Sequence, residues 1–292
     1  MGVFKIRRLR QGFSTVFCSR RGVKILLRDA LATFGVIGGS LQVYDILTPN
    51  ANYQPALMVL ALGVTPVAVG LHRAWPRLSL VRHLERPNVS IQVLVGDLFE
   101  QKTHIVVGFT DTFDTDISDA RIIHPNSIQA QFQRKFYPNT CDLDEELNNT
   151  LLWTRSESYA TNKILGKSER FPIGTTVALQ KDNRIILCVA YARMDDRMVA
   201  RASVDEIWHS LAKLWDSIDI HARREPVSMA IIGSQLAKVD SLDRASLIRL
   251  ITLSFVARSR SSPVTNQLNI IIHPSDIEEV DMLELSAFLA TV

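Results

Sequence analysis

The chain is 292 residues long, enough to bury the core of one large domain or two small ones. Its three cysteines, Cys18, Cys141 and Cys188, are odd in number and far apart, and its seven histidines show no HExxH spacing. This excludes a zinc site and a disulfide framework, and it suits buried apolar thiols in a reducing compartment.

The formal net charge of +3 is unevenly placed: residues 1–29 carry eight Lys/Arg and one Asp, about +7, which leaves about −4 for the rest. A basic end points to an anionic partner, nucleic acid or a membrane face. Residues 1–28 interleave Phe4, Phe13 and Phe17 with Lys5, Arg7, Arg8, Arg10, Arg20, Arg21, Lys24 and Arg28. That pattern suits a cytoplasmic, membrane-interfacial segment better than a nucleic-acid arm. Two apolar runs follow. Ala30–Tyr44 is uncharged but short for a span, whereas Ala51–Leu71 offers 21 residues without Asp, Glu, Lys, Arg or His. As a helix the second run measures roughly 31 Å, about the thickness of a hydrocarbon core.

The connection Asp45–Gln54 has no Lys or Arg and contains Pro49 and Asn50, while Arg73, Arg77, Arg82 and Arg86 follow the second run. The positive-inside rule therefore predicts a transmembrane two-helix hairpin over 29–72 with both termini cytoplasmic, then a basic linker over 73–87. A buried hairpin in a soluble protein would match the apolar runs but not the arginine asymmetry. Gly35 and Gly39 form a GxxxG pair that admits another backbone, and Pro66 predicts a kink. Both suit a hairpin packed against copies of itself.

From residue 88 the pattern becomes that of a soluble domain, 88–292. Strands are predicted at 88–95 (NVSIQVLV), 104–109 (HIVVGF), 175–179, 184–191, 227–232 (VSMAII) and 268–272 (LNIII). Helices are predicted at 127–137, 143–152, 203–218, 242–258 and 275–289. The 203–218 helix is the clearest, with Ser203 as cap, Glu206 completing a capping box, and Ile207, Leu211, Leu214, Trp215 and Ile218 as its apolar stripe. Strands alternating with helices predict an α/β fold with a mixed, largely parallel sheet between helices, whose ligands bind beyond the strands' carboxyl ends. Two loops occupy that position: Thr110–Thr115 (TDTFDT) and Gly233–Lys238 (GSQLAK). The second lacks both GxxxxGKS and GxGxxG spacing, yet Gly233 and the amides after it suit an anion. Asp111 and Asp114 read as solvated loop carboxylates, and Lys163, Lys167 and Arg170 as solvated cations.

Taken together, residues 88–292 resemble a macro domain. Gly96-Asp97-Leu98 resembles that family's Gly-Asp-Ile segment, HIVVGF its strand leading to the distal ribose, PVSMAIIGSQLAK its late strand and phosphate loop, and LNIIIHP its last strand. The resemblance implies an ADP-ribose-type ligand and no cofactor. Asp97 would accept from the adenine amino group with Leu98 beside the ring. Gly233, Ser234, Gln235, Leu236, Ala237 and Lys238 would wrap the diphosphate, and Phe109, Thr110, Asp111 and Thr112 would line the distal side. Hydrolytic macro domains carry an Asn-rich segment and a glycine run where this chain has FTDTFDT, which implies binding without turnover. A membrane-anchored ADP-ribosyl hydrolase is the alternative. With the hairpin, the chain resembles the membrane effector of type II Thoeris antiphage systems. That resemblance implies a bacterial inner-membrane protein, self-associating in the bilayer. It would sense an ADP-ribose conjugate made by a partner TIR protein and then disrupt the membrane.

Overall fold

The computed structural model describes residues 20–48, 58–74, 78–154, 158–159, 163–233 and 242–292, beginning with a helix, α1, over Arg20–Leu47. The chain divides into two units, Met1–Leu78 with Ile277–Thr291, and Ser79–Asp276.

In the first unit α1 runs 28 residues without interruption. Lys24, Arg28, Asp29 and Asp45 all lie inside it, because a charged side chain does not break the backbone ladder. Sequence reading expects the later run to be the better span; the structure gives that length to α1. Its segment Val23–Leu47, of mean hydropathy 1.3, is long and apolar enough to cross a membrane, whereas the apolar stretch Leu60–His72 is shorter. Leu31, Val36 and Ile46 are 67%, 71% and 73% exposed, an apolar surface of the kind that marks a membrane or protein contact.

The second helix, already helical at residues 58–59, passes through a π-helical turn, Leu60–Val64, and continues as α2, Thr65–Ala74. The break expected at Pro66 thus takes the form of a widened turn just before it, where Thr65 Oγ1 bonds Leu60 O at 2.9 Å. A Cβ on Gly70 would stand 2.7 Å from Leu26 O, so the two backbones meet closely there. A Cβ on Gly35 or on Gly39, the pair expected to face other copies of the hairpin, would meet nothing within 4 Å among the described residues. Residues 49–57, which hold most of the expected connection, lie outside the described part.

The second unit is built on a sheet of order β1-β2-β10-β9-β3-β7-β6. Its strands are β1 Ser79–Leu84, β2 Val89–Val95, β3 His104–Thr110, β6 Thr176–Lys181, β7 Arg184–Met194, β9 Val227–Ala230 and β10 Gln267–Ile272. A small pair, β4 Ser158–Tyr159 and β5 Glu169–Arg170, stands apart, and β8 Ala200–Arg201 extends β7. Strands β2, β10, β9, β3 and β7 are mutually parallel, and β1 and β6 close the edges antiparallel. The mixed, largely parallel sheet is the one the alternating pattern predicts. Strand β1, in contrast, occupies part of the stretch expected to be a basic linker. Its register, Leu80 opposite Val93 and Leu84 opposite Val89, puts alternate side chains inward and leaves Val81 and His83 outside.

Helices α3 Ile128–Phe136 and α4 Thr140–Leu151 cover one face, over a core that includes Ile105, Val107, Phe109, Phe132, Leu143 and Leu147. Ser127 caps α3 through the Ala130 amide and Asn139 caps α4 through the Cys141 amide. Helices α5 Val204–His221 and α6 Arg244–Ser259 follow β8 and β9. The capping box expected at Ser203 and Glu206 is formed, and the whole apolar stripe of α5 is buried. Trp215 meets Phe255 edge-on at 5.4 Å and donates to Ser254 Oγ at 3.1 Å. The chain closes with a 3-10 stretch, Pro274–Glu279, and helix α7, Met282–Thr291, where a single longer helix is expected. Cys188 is buried as expected, Cys141 is exposed, and Cys18 lies outside the described residues.

Candidate functional site

Parallel strands deliver their carboxyl ends to one edge of the sheet, and there the second unit holds a cavity of about 720 Å³. That size falls within the range of roughly 300–1,000 Å³ usual for small-molecule sites. All five parallel strands contribute: Gly96–Phe99 after β2, His273, Ser275 and Asp276 after β10, Ile231 and Ile232 after β9, Thr110 ending β3, and Tyr191 and Met194 on β7. The segment 120–131 and the Met198–Ala200 loop supply the remaining wall.

Of the residues singled out in the sequence, Asp97, Leu98, Phe109 and Thr110 line this cavity together. Asp97 is exposed, and its Oδ1 accepts from the Phe99 amide at 2.8 Å, capping the 3-10 turn Leu98–Glu100. Gly233 has φ +83 and bonds its amide to the Tyr191 phenol. Ser234, Gln235, Leu236, Ala237 and Lys238 lie outside the described residues.

The TDTFDT loop differs from its expected state. Asp111, Thr112, Phe113 and Asp114 are 0%, 0%, 0% and 2% exposed, so its carboxylates are buried rather than solvated. Asp111 accepts from the Met194 amide at 3.0 Å and from Arg170 Nη1 at 3.1 Å. Burial raises its carboxyl above the ordinary carboxylate range, while the Met194 amide and the cations Arg170, Arg193 and Lys163 pull the other way. Asp114 accepts from Thr112 Oγ1 at 2.6 Å, Lys163 Nζ at 2.5 Å and the Lys167 amide at 2.6 Å. Lys163, expected to be solvated, is 1% exposed, and Lys167 pairs with Asp144. The turn that wraps Asp114 needs Gly166, with φ +78, because a Cβ there would stand 2.2 Å from Asp114 Oδ1. Phe113 holds φ 47 and stacks on Phe109 at 5.5 Å. A buried, ion-paired loop therefore stands behind the cavity wall, with Thr110 at its front.

Two features of the floor escaped the sequence. Tyr191 lies across β3 where Gly108 carries no side chain; a Cβ at Gly108 would sit 2.4 Å from Tyr191 Cε1. Burial pushes the Tyr191 phenol up to about 12, against the bond from the Gly233 amide, so it is a neutral hydrogen-bonding group at pH 7. At the other end Ile122 and Ile123, 7% and 4% exposed, form an apolar wall with Met198 packed on it. An isolated glycine in a strand is the one signal that pointed to a close approach at 108.

The described residues hold no cluster of His, Cys, Asp and Glu able to bind a metal. What the cavity offers is shape and an exposed carboxylate at Asp97.

A family model described as Thoeris protein ThsA, Macro domain, matches residues 91–273. Among solved structures, a mutant of the Oceanobacillus iheyensis macrodomain with ADPR superposes with a TM-score of 0.50 at 11% identity, covering 73% of this chain and 100% of that one. A second mutant of the same macrodomain gives a TM-score of 0.50 at 11% identity, covering 73% and 94%. At such identities the likeness is one of fold. No curated protein matches the chain by sequence.

Proposed function

The chain belongs to the Thoeris ThsA macro-domain family, and from that premise we propose that its cavity binds an ADP-ribose-derived signal and that the protein is a membrane-anchored antiphage effector. The observation that carries this reading is the cavity at the carboxyl ends of five parallel strands, joining Asp97, Leu98, Phe109 and Thr110 in one wall. Asp97 keeps its Oδ2 for the adenine amino group while Oδ1 caps its own turn, and Leu98 packs beside the ring. Gly233 opens the loop, through Lys238, that wraps the diphosphate. Phe109 and Thr110 face the distal part of the ligand, and Asp111 and Thr112 support them from behind.

Recognition without turnover fits the loop chemistry. A general base needs hydrogen-bond reach to a water beside the ligand, and Asp111 and Asp114 are buried against Arg170 and Lys163 instead. The signal is an ADP-ribose conjugate supplied by a partner TIR protein, with no cofactor. Helix α1 and the α2 segment form the hairpin in the bacterial inner membrane, both termini cytoplasmic. Copies of the hairpin assemble to breach the bilayer, since one two-helix hairpin encloses no pore. Binding biases that assembly only if it prefers one state.

Leakage from liposomes carrying the full chain tests the reading, with and without an ADP-ribose conjugate. We expect ligand-dependent leakage that Asp97→Ala abolishes. Leakage indifferent to both ligand and Asp97 overturns the effector role, and a flat thermal-shift titration with ADP-ribose overturns the ligand.

A further inference from the structure

A hydrogen-bond donor on the cavity floor is left without an acceptor. Tyr191 belongs to β7 and lines the cavity, and its ring passes over β3 at Gly108 to reach Gly233, in the turn after β9. Strands β9, β3 and β7 are neighbours in that order, so one side chain spans all three. The path is open only because residue 108 has no side chain; a Cβ there would stand 2.8 Å from Tyr191 Cδ1. At its end the phenol oxygen accepts from the Gly233 amide. A phenol also has one proton to give, and that of Tyr191 meets no acceptor among the described residues. Burial pushes the group up to about 12, so the proton is in place at pH 7. The neighbouring lining residues on β3 and after β9, Val106, Ile231 and Ile232, are apolar.

The Gly233 amide is therefore spent inside the protein, and the phenol stands in its place as the donor. An amide that donates to the phenol oxygen polarises the O–H and strengthens what it gives. An acceptor buried on this part of the floor must find that proton or forfeit its hydration. A phosphate oxygen gains most, because a hydrogen bond to an ionised acceptor is about twice as strong as one between neutral groups. We propose that Tyr191 is a ligand-selecting residue of this cavity, its O–H, backed by the Gly233 amide, donating to a phosphate oxygen of the bound nucleotide. This rests on the nucleotide-binding reading and adds to it a side-chain donor delivered from β7. Gly108 serves the same end at one remove, by leaving the phenol its path.

The test is binding of ADP-ribose, ADP and adenosine to the full chain in detergent, by calorimetry. Tyr191→Phe keeps the ring and removes the proton; it should weaken ADP-ribose and ADP on the order of 10-fold and adenosine far less. The same change frees the Gly233 amide, so a second variant separates donation from support of the turn. Tetrafluorotyrosine at position 191 carries a phenol that ionises well below that of tyrosine. As pH rises through that ionisation the donor is lost, while the oxygen becomes a better acceptor for the Gly233 amide. ADP binding should fall with this titration and stay flat in the wild type over the same range. A phenol that only holds the turn predicts the opposite, ADP binding unchanged or tighter as the phenolate forms. That outcome overturns the proposal, as do equal losses for adenosine and ADP in Tyr191→Phe, or no loss for either. A wild-type chain that binds none of the three defeats the nucleotide reading itself, a result visible before any variant is made.

Discussion

Lys163 Nζ, on a side chain 1% exposed, lies 2.5 Å from Asp114 Oδ2, and the same ammonium donates to Thr112 Oγ1 at 3.1 Å and to the Lys167 carbonyl at 2.9 Å. Three donors meet three acceptors, so the charge is buried and fully engaged. Removing one partner of such a pair strands the other. Lys163→Ala and Asp114→Ala should each cost about 3–5 kcal/mol in denaturant unfolding of the full chain, and the paired change to apolar residues of similar size should cost much less. Single losses below about 1 kcal/mol would mean that water reaches the pair.

At Gly108 the strand leaves room for the Tyr191 ring. Gly108→Ala should destabilise the chain by about 1–3 kcal/mol through overpacking and weaken ADP-ribose binding as the ring is displaced. In a Tyr191→Ala background the same Gly108→Ala change should cost little, because the ring it meets is gone. Thermal unfolding of both single variants and the double decides this; an equal cost in the two backgrounds would mean that the clash lies elsewhere.

Ser203 accepts from the Glu206 amide at 3.1 Å while the Glu206 carboxylate accepts from the Ser203 amide at 2.8 Å. Breaking this reciprocal cap with Ser203→Ala should cost about 1 kcal/mol, and Ser203→Asp should restore most of it. Equal melting of Ser203→Ala and wild type would show that tertiary packing alone fixes the start of α5.

Asp111 sets a pH signature. Its folded pKa lies above the unfolded value near 3.8, so the folded chain takes up a proton before the unfolded chain does. A group of that sign adds stability as pH falls through the folded pKa, and the gain is complete below the unfolded one. The stability of wild type minus that of Asp111→Asn should therefore rise on acidification from neutrality. Urea midpoints and slopes across that range measure it, and a difference that falls instead would show that Arg170 outweighs burial.

Much of the sheet was legible because burial on both faces writes itself as continuous apolar runs, as in HIVVGF and LNIII. The start of α5 was legible because a capping box is local chemistry between two residues three apart. Strand β1 was missed since SLVRHL carries Arg82 and His83 beside the other arginines of the expected basic linker, and only pairing with β2 gives its alternation a meaning. Lys163 and Arg170 were missed for a different reason. A lone cation in sequence defaults to solvent, and nothing near residue 163 announces a carboxylate waiting from residue 114. The cavity wall at Ile122 and Ile123 and the Tyr191 floor depend on which strand ends are neighbours, information the order of residues does not carry.

The bare strand beneath Tyr191 makes the cavity floor removable. Because the Tyr191 ring is what a side chain at Gly108 would meet first, Tyr191→Ala would trade the floor for a recess at the same place. A synthetic nucleotide bearing an added aromatic group could occupy that recess and would be excluded from every unmodified copy. Such a matched pair would give experimental control over one engineered copy without touching the unmodified protein.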